Sequence, residues 1–201
     1  MKRMSFLVLV ILSFVAPLWA QTHHSDFGFS VNIHPGWEVI SKDELSRNPG
    51  MLDAAFGVAE QGSLKDVDKD MLCQLKALVL TGNVEYYFNR KSGSLISILR
   101  KSGKMVQGPS DIGKTCSSLP AELAKLMGKP ARLYECELRR MENFNAFYTT
   151  TDGFKEETKS LQYQIQKSPG ELLIITATCQ NQFCKEVDKD LDQMVSSIKL
   201  R

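Results

Sequence analysis

Three observations predict an α+β fold on a largely antiparallel β-sheet. The C-terminal third carries consecutive segments of period-two apolar alternation joined by short turn-forming stretches. Three other stretches switch to helical spacing. Strands and helices do not alternate in the regular order that a parallel sheet requires.

The start of the chain stands apart from that fold. Met1–Ala20 opens with Lys2 and Arg3, runs through apolar Phe6–Val15 and closes on Ala20 before polar Gln21. A charged start, an apolar run too short to span a bilayer and a small residue at the end predict a secretory signal peptide cut after Ala20. No cysteine follows the apolar run to accept a lipid. Residues 21–201 are then predicted to form one exported domain, periplasmic or secreted. Its 181 residues suffice for a full core. The chain's 25 basic residues exceed its 23 acidic ones only through Lys2 and Arg3. Without them the charges balance, which argues against nucleic acid or an anionic membrane as partner. The doublets Arg100-Lys101 and Arg139-Arg140 read as solvated strand ends.

In chain order, Asp26–Val39 reads as a hairpin. Phe29, Val31 and Ile33 alternate with Ser30, Asn32 and His34, Pro35-Gly36 supplies the turn, and Trp37 re-enters the core. Ala54–Glu60, a short apolar run, reads as a further strand. Asp66–Leu80 reads as a helix with Val67, Met71, Leu75 and Leu78 in one arc, widened by Leu72 and Val79. Cys73 points away from that arc. Leu95–Arg100 reads as a strand. Leu119–Met127 reads as a helix capped by Ser118 and stopped by Gly128 and Pro130. Arg132–Arg140 and Phe144–Thr150 read as strands joined near Glu142-Asn143. Leu161, Tyr163 and Ile165 alternate with Gln162, Gln164 and Gln166. Ser168–Glu171 turns the chain into Leu172–Cys179, apolar on both faces and therefore placed at the centre of the sheet. Phe183, Val187, Leu191, Met194 and Ile198 form the stripe of a closing helix.

Asp26–Trp37 resembles the opening hairpin of PsbP-like and DcrB-like proteins, and the end resembles them too, with paired strands over Leu161–Cys179 and a helix finishing Val195-Ser196-Ser197-Ile198-Lys199. The resemblance covers both ends of the chain and not Gln107–Cys136. It implies an α/β/α sandwich around a central, largely antiparallel β-sheet. Members are mostly non-catalytic binding or accessory proteins, with no active-site motif to carry over.

Gly108-Pro109-Ser110-Asp111-Ile112-Gly113-Lys114-Thr115 matches the phosphate-loop pattern literally. Its context argues against that chemistry. Pro120 would interrupt a helix starting at Lys114, and no strand ending in Asp follows to complete a magnesium site. A polar Gly/Pro-rich loop is expected instead. Histidine is scarce: His34 is the one candidate base within the fold, and its place before Pro35 suits a solvent-facing or turn-bonding role. Cleavage after Ala20 would expose Gln21-Thr22-His23. There the amine, two amides and the imidazole could form a square-planar Cu(II) or Ni(II) site, unless Gln21 cyclises. The acidic clusters at Asp66–Asp70 and Glu186–Asp190 lie at helix starts and lack the turn of a calcium loop. Tyr86-Tyr87-Phe88 reads as core.

Five cysteines in an exported chain suggest disulfides with one thiol over. Cys179 closes the central strand on the face of Leu173, Ile175 and Ala177, and Cys184 lies on the inward arc of the last helix, so these two should pair. Cys116–Cys136 is the expected second bridge with Cys73 free, and Cys73–Cys116 the competing one. The sequence thus predicts an exported, non-catalytic accessory protein of the cell envelope, without cofactor, that binds another envelope or secreted protein. The alternatives are a nucleotide- or phosphate-handling protein using Gly108–Thr115 and a Cu(II)/Ni(II)-binding protein using Gln21 and His23.

Overall fold

A computed structural model of the chain describes residues 21–61 and 69–201, without the side chains at 58–61, 71 and 72. The expected signal peptide, residues 1–20, lies outside the described residues. A seven-stranded sheet, antiparallel throughout, organises the rest. Its strands are β3 (Trp37–Ile40), β4 (Val84–Asn89), β5 (Ser94–Ser102), β6 (Leu133–Arg140), β7 (Asn145–Asp152), β8 (Thr158–Ser168) and β9 (Glu171–Gln180). They lie in the order β3-β4-β5-β9-β8-β7-β6, so β9 is central, as its apolar run predicts. A smaller sheet holds β1 (Gln21–Ser25), β2 (Phe29–Ile33) and β10 (Lys199–Leu200) in the order β1-β2-β10.

One face of the large sheet is covered by β2 and by helix α5 (Cys184–Ser196). The α5 stripe falls as read: Val187, Leu191 and Met194, with Ile198 just beyond, are buried against Ile96, Ile98, Leu173, Ile175 and Ala177, while Phe183 is partly buried. The other face is covered in two places. Helices α1 (Lys42–Arg47), α2 (Met51–Gln61) and α3 (Lys69–Leu80) pack on Val84, Tyr86, Phe88 and Leu95. Helix α4 (Pro109–Met127) lies over Cys136, Leu138 and Phe147 at the opposite end. The architecture is the expected α+β arrangement of helices on both faces of an antiparallel sheet. Between the two helical groups, Ile174, Thr176 and Thr178 of β9 are only half-buried, so the second face of that strand is less covered than its apolar reading implies.

Four local expectations change. The turn at Pro35-Gly36 forms, with Gly36 at φ +93° and the Trp37 N–H donating to the His34 carbonyl at 3.2 Å, but the strands it joins do not pair. β2 already has β1 on one side and β10 on the other, so β3 pairs instead with β4. The turn is a corner between sheets, not a hairpin. Ala54–Glu60 is helical within α2: Leu52, Ala55 and Phe56 are buried at i, i+3 and i+4, and an alanine-rich run favours helix once a partner face exists. In α3, Leu75 and Val79 point inward while Leu78 is 41% exposed, a rotation of the expected arc; Val67 lies outside the described residues. Cys73 is exposed, as its position on the opposite side requires.

The fourth change is the largest. Residues 109–115 are not a loop but the first two turns of α4, with Gly108 as N-cap and Pro109 in the first helical turn. Pro is favoured there because its missing N–H has no acceptor to lose. Pro120 sits inside the helix, where it removes the bond to the Cys116 carbonyl at a typical cost of about 3 kcal/mol. No residue of α4 is fully buried, so the interruption falls in a helix that borders water. The Cys116–Cys136 pair holds this helix to β6.

Candidate functional site

A cleft of about 420 Å³ opens on the sheet face that carries α5, at the β3 edge. One wall is β1, from Gln21 to His24, and the other is α1 with Asp43, Glu44 and Arg47. Trp37 and Val39 of β3, Ile33 of β2, Met51 and Glu85 line the space between them. The alternation of β3 puts Trp37 and Val39 on this face, in register with Asn89 and Tyr87 of β4. Ser41 follows β3 and caps α1, its hydroxyl accepting from the Glu44 N–H at 3.3 Å. That cap turns the chain out of the sheet and brings the α1 carboxylates to the rim.

Glu85 is the centre of the site. Its side chain is 4% exposed, yet its contacts are neutral or weakly basic: the Ser25 hydroxyl donates to Oε1 at 2.9 Å, and His23 Nε2 lies 3.2 Å from Oε2. The His23 ring also stands edge-on to Tyr87, with centroids 5.9 Å apart. Burial first, and the Glu85 charge second, push the Tyr87 phenol well above its ordinary pKa. Its hydroxyl is buried without a hydrogen-bond partner among the described residues. At the rim, Arg90 grips Glu38 through two bonds of 2.6 and 3.0 Å, and Arg47 bonds Glu44 at 2.8 Å. His24 meets Arg201 at the other end of the small sheet.

A second polar link fastens the cleft to α5. The Trp37 Nε1–H donates to Asp190 Oδ2 at 2.8 Å, and His34 Nδ1 lies 3.6 Å from Asp190 Oδ1. Thus His34 has a carboxylate neighbour in addition to its turn contact with the Pro35 carbonyl at 3.2 Å. The acidic cluster Glu186–Asp190 is not only a solvated helix start: Asp190 is buried, and Asp188 accepts from the Tyr148 hydroxyl at 2.8 Å. Asp66–Asp68 lies outside the described residues.

The other sequence candidates separate from this site. Lys114 is exposed on α4, and the N–H groups of Asp111 and Ile112 are bonded to the Gly108 carbonyl. A phosphate loop needs such groups free and curled around the ligand. Here they belong to a helix already under way, a different reason for rejecting the motif than the expected Pro120 break. Gln21 and His23 do line the cleft, and strand pairing holds both in β1. Gln21, Thr22 and His23 pair with Ile33, Asn32 and Val31, and the His23 imidazole is held by Glu85. Square-planar coordination would require β1 to leave its sheet. Among the described residues no group of three or more metal-ligating side chains converges.

The structure brings the expected sulfurs together, Cys116 with Cys136 at 1.98 Å and Cys179 with Cys184 at 2.13 Å. Arg139 departs from its reading as a solvated strand end. Its guanidinium lies 3.4 Å from the Tyr148 ring centroid, donates to the Tyr163 hydroxyl at 2.6 Å and pairs with Glu135 and Glu137. The sequence reading passed over Glu85, though a lone carboxylate inside Val84–Phe88 is the kind of interruption that marks one. It also passed over β1, whose polar residues carry no alternation.

No family model matches the sequence, and no curated protein is detectably similar to it. Among solved structures, the solution structure of cyanobacterial PsbP (CyanoP) from Synechocystis sp. PCC 6803 is similar at a TM-score of 0.53 and 11% identity, over 94% of this chain and 96% of that one. An immunity protein of Pseudomonas aeruginosa, TplEi, solved with a peptide, gives 0.48 at 11% identity over 91% and 98%. The Ran-binding protein Mog1p of Saccharomyces cerevisiae gives 0.46 at 8% over 90% and 96%. The fold of this chain is PsbP-like.

Proposed function

We propose that the protein is an exported, non-catalytic binding protein of the cell envelope, and that the cleft between β1, β3 and α1 is where it holds a protein partner. The observation that carries this reading is the cleft itself: a concavity of about 420 Å³ at an open sheet edge, with a buried carboxylate that no lysine or arginine among the described residues neutralises. Export is supported by the first twenty residues of the sequence and by two cysteine pairs at bonding distance, which suit an oxidising compartment. No helix among the described residues is long and apolar enough to cross a membrane. A binding role, not a catalytic one, is favoured because no hydroxyl or thiol among the described residues is hydrogen-bonded to the His23 imidazole as a nucleophile would be. Ser25 is spent on Glu85 and His23 on the same carboxylate.

Photo-cross-linking in the native envelope tests the reading. A photoreactive residue at Thr22 or Asp43, both exposed on the cleft walls, should trap a discrete protein. The same residue at Lys125 or Glu156, exposed elsewhere, should not. Cross-links that follow Lys125 or Glu156 and spare the cleft positions would overturn the assignment.

A further inference from the structure

We propose that the cleft takes an extended segment of a basic partner, which adds as a strand to the free edge of β3 and sets a lysine or arginine against Glu85. This deepens the binding role proposed above and rests on it. The first observation is the contrast between the two edges of the large sheet. β6 is guarded: it presents Glu135, Glu137 and Arg139 and has a register shift between Leu133 and Glu135. Charges and bulges of this kind block strand addition. β3 has no strand on its far side among the described residues, and the cleft runs beside Trp37, Glu38 and Val39 of that strand.

The second observation is Glu85. A carboxylate so withdrawn from water is costly to keep charged unless a cation and hydrogen bonds compensate it. Here it has a hydroxyl and an imidazole but, among the described residues, neither lysine nor arginine. A cationic side chain arriving from outside would complete the set. The third observation is charge balance. Among the described residues Asp26, Glu38, Asp43, Glu44 and Glu85 line the cleft against the single guanidinium of Arg47. Glu38 and Glu44 are engaged by Arg90 and Arg47, whereas Asp26 and Asp43 have no ion pair among the described residues. The apolar surface of Trp37, Val39 and Met51 suits the methylene stem that carries such a cation.

The test uses protein recovered after export and a blocked heptapeptide, Thr-Val-Thr-Lys-Thr-Val-Thr, followed by amide chemical shifts. The expected result is perturbation of Trp37–Ile40 and Glu85, with binding weakened about tenfold by acetylating the lysine and about tenfold by Glu85→Gln. Asp43→Asn, at an exposed position that leaves folding alone, should weaken it about twofold. Equal binding of the acetylated peptide at β3 would overturn the cation while leaving the cleft as a binding site. Perturbation confined to β6, or no binding of either peptide at millimolar concentration, would overturn the whole inference. So would n-butylamine binding as tightly as the peptide, because the strand edge would then contribute nothing. The cross-linking experiment stands or falls independently of these outcomes.

Discussion

Replacing Trp37 by phenylalanine removes the donor that ties edge strand β3 to helix α5. Both partners are withdrawn from solvent, Trp37 at 6% and Asp190 at 7% exposure, and the bond is 2.8 Å long. A hydrogen bond to a charged group is worth about 1.5–3 kcal/mol. Loss of part of the indole surface adds about 1 kcal/mol. The expected destabilisation of Trp37→Phe is therefore about 3 kcal/mol, and for a chain of this size that lowers Tm by roughly 6–12 °C. Asp190→Leu should cost about 1–3 kcal/mol, because it strands a buried indole N–H.

The double variant separates the bond from mere packing. With both partners replaced, neither a lone carboxylate nor a lone N–H remains, so the two single losses should not add. Guanidinium unfolding of the four proteins should give a coupling of about 1.5–3 kcal/mol at unchanged m. Single effects that add to within about 0.5 kcal/mol would show that the Trp37–Asp190 link does not hold β3 against α5. The cleft floor would then lack its anchor.

Other outcomes follow from burial and connectivity. Leu191→Ala, at a fully buried position of α5, should cost about 3–4 kcal/mol, whereas Leu126→Ala, 69% exposed on α4, should stay within about 0.5 kcal/mol by denaturant unfolding; a reversed order would misplace α5. Non-reducing peptide mapping should link Cys179 to Cys184 and Cys116 to Cys136 with Cys73 free, and serine variants should lose about 2 and about 3 kcal/mol respectively by loop entropy. A Cys179 peptide joined elsewhere would refute the placement of α5. Burial tends to raise the Asp152 carboxyl, but the Tyr134 hydroxyl, the Arg132 N–H and nearby cations outweigh it and hold the group below its ordinary pKa. A depressed folded pKa stabilises above the unfolded value, near 4, and that gain is lost on acidification through the folded one. Asp152→Asn should therefore reduce the stability difference between neutral and acid solution, and an unchanged pH profile would sink this account.

What the sequence showed depended on which interaction decides each element. The C-terminal strands and α5 were legible because their period is written into residues that face one core: Leu161, Tyr163 and Ile165 on β8, and Val187, Leu191 and Met194 on α5. The Cys179–Cys184 pair was legible for the same reason, since strand face and helix arc fix where those two sulfurs point. Ala54–Glu60 was not, because a short apolar run reads alike as strand or helix until its partner face is known. Pro120 misled because the usual penalty was applied without the exposure that lets this helix tolerate it. The corner after β2 was hidden because turn chemistry reports that the chain reverses, not which sheet it enters.

The cleft lay beyond reach of local patterns for a more general reason. Its parts come from β1, β3, α1 and β4, which are far apart in sequence, and each looks ordinary alone: two histidines in a polar start, a serine cap, a glutamate among aromatics. Only the pairing of β1 with β2 carries His23 and Ser25 over Glu85, sixty or more residues away. The same pairing withdraws His23 from the metal site that its position in the sequence suggests. A residue read there as a ligand at a free terminus is, in the fold, a lid on a buried acid. The sheet's topology, not the motif, determines what chemistry His23 can take part in.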